Sequence, residues 1–168
     1  RASRRLFKEA SDPRSMLRLP EKKISGLIFP VGFYRTKAAV VLGASRAILE
    51  RFGGRVPCTI EDLLSIKGVG RKTANLVLGL GYGIPAVCVD THVHRISNRL
   101  GWVKSAKAEE TEKALQGLFA RRYWIELNTV LVAFGQNICR PVSPFCGRCA
   151  VERCCPKAGA AKSGRGRK

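Results

Sequence analysis

Apolar residues recur at helical spacing along most of the chain. In 36–51 (TKAAVVLGASRAILER), Val40, Val41, Ala44, Ala47, Ile48 and Leu49 share a face. Gly53-Gly54 stops that helix and Pro57 follows. Thr59-Ile60-Glu61-Asp62 resembles a capping box and opens a short helix ending near Ile66. After Gly68-Val69-Gly70 a second helix runs to about Leu80. Asp90-Thr91 caps another over roughly 92–100, and a polar helix covers about 106–119. A longer one, from Arg122 to about Ile138, carries Trp124, Ile125, Leu127, Leu131, Val132 and Phe134. No stretch alternates as a strand should, and no repeat of solenoid length is present. The pattern predicts an all-α protein. After Cys155 the chain turns rich in Gly, Ala and Lys, and that tail is expected to be disordered.

The length of 168 residues suits one domain or two small lobes. Apolar runs such as Ala38-Ala39-Val40-Val41-Leu42 are far too short to span a bilayer, and no signal peptide is expected. The first residue is Arg1 and not Met, so the chain reads as a fragment. Charge narrows the partner. Lys and Arg number 31 against 12 for Asp and Glu, a formal net charge of +19. Residues 157–168 hold five of those cations and no acid, which leaves +14 on the body. A polyanion is implied, nucleic acid first among them.

The stretch Ile66-Lys67-Gly68-Val69-Gly70-Arg71-Lys72-Thr73-Ala74 carries the most chemistry. Two glycines flank one apolar residue between two helices. Glycine permits positive φ and close backbone approach. The helix that begins there turns its leading N–H groups outward as an anion site, suited to a phosphate of the DNA backbone. Lys72 falls in the first turn. A helix N-terminus disfavours positive charge, and an amine held neutral is the usual Schiff-base nucleophile. The plainer use of Lys72 is as one more phosphate-binding lysine. Downstream, Asp90 follows the apolar run Ile84-Pro85-Ala86-Val87-Cys88-Val89. It serves as an N-cap, as an acid that manages protons, or as both. His92 and His94 resemble metal ligands only on paper, since no cysteine pairs with them nearby.

Cys58 and Cys88 lie in apolar stretches and read as buried small hydrophobes. The other five cysteines fall within 17 residues. Cys139-x6-Cys146-x2-Cys149-x5-Cys155 supplies four thiolates on one loop and leaves Cys154 over. Such a set binds zinc or an iron–sulfur cluster, and spacing does not choose between them.

Taken in order, GVGRKTAN (68–75), VDTH (89–92) and the four-cysteine spacing resemble the endonuclease III family of helix-hairpin-helix DNA glycosylases. Gly32-Phe33-Tyr34-Arg35-Thr36-Lys37 and Phe134-Gly135-Gln136 match as well, so the likeness runs from near residue 2 to about 157. The resemblance implies a two-lobed all-α fold with a C-terminal cluster loop. It implies partial N-terminal helices in 1–20, a helical barrel lobe over 21–119 with the helix-hairpin-helix at 59–82, and a C-terminal helix and cluster loop over 120–157, before a basic tail at 158–168. Further N-terminal helices of the family have no counterpart here. The cofactor implied is a [4Fe-4S] cluster on Cys139, Cys146, Cys149 and Cys155. Lys72 is implied as nucleophile, Asp90 as its acid partner, and Phe33 as the wedge that fills the gap left by a flipped base. Gly68, Val69, Gly70, Arg71, Thr73 and Arg140 would contact DNA.

The activity implied is that of a bifunctional glycosylase and abasic-site lyase, removing oxidised pyrimidines from duplex DNA in base-excision repair. Its partner would be double-stranded DNA with damaged bases or abasic sites, with no membrane, the chain acting as a monomer. In a prokaryote it would be cytoplasmic and nucleoid-associated. Two rivals stand beside this reading: a mismatch-specific glycosylase without lyase activity, and a truncated, non-catalytic DNA-binding module.

Overall fold

The computed structural model describes residues 1–159, so most of the predicted disordered tail lies outside the described residues. Among those residues the regular structure is all helical, with no strand. The chain divides into two compact units, one ending at Ala74 and the other beginning at Asn75.

In the first unit come α1 (Ala2–Glu9), α2 (Pro13–Leu17), α3 (Glu21–Ile28), α4 (Tyr34–Phe52) and α5 (Ile60–Leu64). Helices α2 and α5 owe their starts to a capping side chain. Asp12 caps α2 by accepting from the Arg14 and Ser15 amides at 2.8 and 2.9 Å, with Pro13 at the first helical position. Thr59 caps α5 through the Asp62 amide. Leu6, Ala10, Met16, Ile24, Ile28 and Ala38 form the core, with α2 and α3 packed on α4. Arg5 donates to the carbonyls of Leu27 and Phe29 at the end of α3, where a helix leaves acceptors unfilled. Cys58, expected to be buried, is exposed. Its stretch is a loop in which the neighbouring Pro57 turns inward instead.

Helix α6 (Arg71–Leu76) spans the division and passes into a π-helical turn, Val77–Gly81. A continuous helix to Leu80 was expected. Gly79 lies against Ile125, where an added Cβ would meet the side chain at 3.5 Å. The second unit continues with α7 (Thr91–Arg99), α8 (Ala108–Leu118) and α9 (Trp124–Asn137). Val87, Val89, Val93, Ile96, Val103, Leu115, Leu127 and Leu131 make its core. Two 3-10 turns, Cys146–Arg148 and Glu152–Cys154, follow α9. No helix among the described residues is long and apolar enough to cross a membrane.

Candidate active site and cysteine cavity

The turn between α5 and α6 is built around Gly68. Its φ is +90°, and a Cβ there would fall 2.7 and 2.8 Å from the methyl carbons of Val40 on α4. Both the backbone conformation and the close approach therefore demand glycine. Gly70 is different: its φ is not left-handed, and nothing lies within 4 Å of where its Cβ would be. Its carbonyl accepts from the Ala74 amide at 3.0 Å and so opens α6. Ile66 and Ala74 are buried and Val69 half-buried, which anchors the turn. Lys67, Arg71, Lys72 and Thr73 are exposed. The hairpin thus places exposed cations at the N-terminal end of α6.

Phe33 begins α4 in the left-handed region, at φ 56° and ψ 34°. That conformation is costly for an aromatic residue. The turn is held by Lys37, whose Nζ donates to Gly32 O at 2.7 Å and whose amide donates to Phe33 O at 2.9 Å. The ring of Phe33 is 85% exposed, a large apolar surface projecting into water on a fixed turn.

Asp90 caps α7. Its Oδ1 accepts from the amides of His92 and Val93, each at 2.9 Å, so the capping role is real. The histidines have structural partners. His94 Nδ1 lies 2.7 Å from Thr111 Oγ1, and His92 Nδ1 lies 3.1 Å from an Arg95 nitrogen. Gly135 makes room for this pair, since a Cβ on it would fall 2.4 Å from His92 Nδ1.

Cys139, Cys146, Cys149 and Cys155 line one cavity, walled on its apolar side by Phe134 and Ile138. None of them is in a disulfide, and Cys154 is exposed outside the lining. Among the described residues no three His, Cys, Asp or Glu converge tightly enough to hold a single metal ion. Four thiols lining one cavity are a donor set that suits an iron–sulfur cluster or a tetrahedral zinc. Beside them, Arg140 and Arg148 flank the Phe145 ring at 5.1 and 5.7 Å.

Residues 1–121 match the family described as HhH-GPD superfamily base excision DNA repair protein. The chain is 46% identical to endonuclease III of Thermotoga maritima over 155 residues, covering 92% of this chain and 73% of the relative. The chain belongs to the endonuclease III family. Endonuclease III homolog 2, chloroplastic, of Arabidopsis thaliana is 44% identical over 87% of this chain, which spans only 40% of that relative's length. A solved structure of a trapped endonuclease III–DNA covalent intermediate superposes with a TM-score of 0.87 at 32% identity, covering 93% of this chain and 74% of that one.

Two further residues of this chain bear on the cysteine loop, and nothing local in the sequence marks them. Arg99 is 6% exposed; it donates to Arg140 O at 2.6 Å and Pro141 O at 2.8 Å, with Cys139 Sγ at 3.6 Å. Arg95, one turn earlier, donates to Cys139 O at 2.9 Å. Burial, with the Arg99 charge beside it, lowers the Arg95 guanidinium from its ordinary value. In so basic a chain two more arginines look like surface. Only their helical spacing of four hinted that they share a face.

Proposed function

We propose that this chain acts as a DNA glycosylase with abasic-site lyase activity, removing oxidised pyrimidines from duplex DNA in base-excision repair. The observation that carries the reading is the place of Lys72, an exposed amine in the first turn of α6 directly behind the Gly68–Gly70 turn. The covalently trapped relative supports a route through an enzyme–DNA bond.

In this reading the hairpin and the basic surface grip phosphates while the damaged base is flipped out of the stack. Phe33 fills the space that base leaves. The lone pair of Lys72 Nζ attacks C1′ of the sugar. The glycosidic bond breaks, and the base departs with its electrons and takes up a proton. Loss of a proton from nitrogen and opening of the ring give the Schiff base. Removal of a C2′ proton then expels the 3′ phosphate and cuts the strand. Asp90 holds and moves protons in these steps and balances the developing positive charge. Cys139, Cys146, Cys149 and Cys155 would hold a [4Fe-4S] cluster, whose contribution is four iron–sulfur bonds that tie the loop carrying Arg140, Arg148 and Arg153.

Borohydride tests the reading, because it reduces an imine to a stable amine. The complete natural chain should be trapped on duplex DNA containing an oxidised pyrimidine. Lys72→Ala should abolish trapping and slow strand cleavage by at least about 10³-fold. Non-specific DNA binding should persist, since one charge among 31 is a small share of the phosphate contacts. Base release without trapping would point to a monofunctional glycosylase, and wild-type cleavage by Lys72→Ala would overturn the assignment.

A further inference from the structure

The residues that lead to Asp90 have no regular structure of their own. Residues 83–90 belong to no helix and no strand, yet Ala86, Val87, Cys88 and Val89 are all buried. A buried chain with no ladder must find partners for its carbonyls elsewhere. Two side-chain amides from two different helices supply partners for two of them. Asn75 Nδ2, on α6 and 5% exposed, donates to Val87 O at 3.0 Å. Asn128 Nδ2, on α9 and half-buried, donates to Cys88 O at 3.1 Å.

We propose that Asn75 and Asn128 are positioning residues for the Asp90 carboxylate, an inference that rests on the reading of Asp90 as the catalytic acid. The two carbonyls they hold belong to consecutive peptide groups, one and two residues before Val89. Val89 is itself fixed in the core, and the next residue caps α7. The path from each amide to the Asp90 Cα is therefore at most three residues long, and it runs through buried residues. Both amides are neutral, so they act on where the carboxylate stands and not on its charge. A carboxylate placed by a rigid shell keeps its reach to a proton, and small displacements of it cost rate more than binding.

Asn75 is buried and Asn128 only half-buried, so Asn128→Ala is the safer probe. The assay is single-turnover cleavage by the complete natural chain of a duplex with one abasic site. Binding is read separately on a duplex carrying a tetrahydrofuran abasic analogue. Asn128→Ala should slow cleavage about 10-fold and leave affinity for the analogue within about two-fold. Asn75→Ala should shift the same two readings the same way. In an Asp90→Asn background, Asn128→Ala should cost nothing further, because the residue it positions is already disabled. The inference is overturned if Asn128→Ala cleaves at the wild-type rate. It is equally overturned if rate and affinity fall together, or if the loss adds in full to that of Asp90→Asn. Wild-type cleavage by Asp90→Asn itself would instead remove the reading of Asp90 as the acid.

Discussion

The hairpin and the cysteine loop differ in how far along the chain their bonds reach. In the hairpin most polar bonds are short in sequence, such as Thr59 to Asp62, Ala74 to Gly70 and Val69 to Ile66, and the longer ones, Arg51 to Ser65 and Asn75 to Val87, span 14 and 12 residues. Its glycine meets Val40 by shape alone. The cysteine loop has two 3-10 turns closed by their own short backbone bonds, and beyond these it is tied to a distant part of the chain. Arg99 reaches carbonyls 41 and 42 residues downstream, and Cys155 Sγ donates to Arg99 O across 56. A segment closed by local bonds specifies its own shape. A segment closed by distant bonds keeps its shape only while its anchors and whatever its thiols hold remain in place.

The largest effect expected from that contrast is at the thiols. Cys149→Ser should abolish the broad visible absorption of an iron–sulfur cluster. It should also expose the amides of 138–157 to hydrogen exchange, while those of α5 keep their protection. Exchange rising equally in both segments, or in neither, would break the comparison. The hairpin should yield instead to a change of shape. Gly68→Val forces a β-branched residue into positive φ and onto Val40, and should cost about 3 kcal/mol in thermal unfolding. Gly68→Ala combined with Val40→Ala removes both methyl contacts, leaving the Cβ of position 40 at 3.3 Å and the φ strain, about 1 kcal/mol. Equal costs for the two variants would show that Val40 has no part in fixing the turn.

The same contrast explains what could be read from the residues. The hairpin, the Asp90 cap and the helices from α4 onward were legible because capping residues, glycine pairs and apolar periodicity are local signals. The four thiols were legible as a set through their spacing, and only the family resemblance gave them a cluster. Phe33 came from the same resemblance; nothing in Gly32-Phe33-Tyr34 announces a left-handed aromatic. Arg95 and Arg99 were hidden because their burial depends on carbonyls more than forty residues away. Asn75 and Asn128 were hidden likewise, as donors to a segment whose lack of a ladder partner shows only in three dimensions. The π-helical turn at Val77–Gly81 was missed for a related reason, since the close neighbour of Gly79 is Ile125. Cys58 failed in the other direction, because an apolar stretch of sequence became an exposed loop.

The smallest effect belongs to another locally closed element, the start of α2. The Asp12 carboxylate accepts from the Ser15 and Arg14 amides and from the Ser15 hydroxyl at 2.8 Å. The Ser15 bonds hold its carboxyl below the ordinary value of 3.8. A carboxyl lowered by folding adds stability that is present above the unfolded value and is lost as pH falls through the folded one. Glu9 is lowered in the same way by the hydrogen bond from Lys23, so the first unit carries two such groups. Stability should therefore decline on the acid side, below about pH 4. Asp12→Asn keeps a good capping side chain and removes the titration. At neutral pH its thermal midpoint should stay close to the parent's, within less than the Gly68→Val loss. Between pH 4 and 2 its midpoint should fall less steeply than the parent's. Parallel acid limbs would mean that Asp12 keeps its unfolded titration in the folded chain, and that the cap holds α2 without its charge.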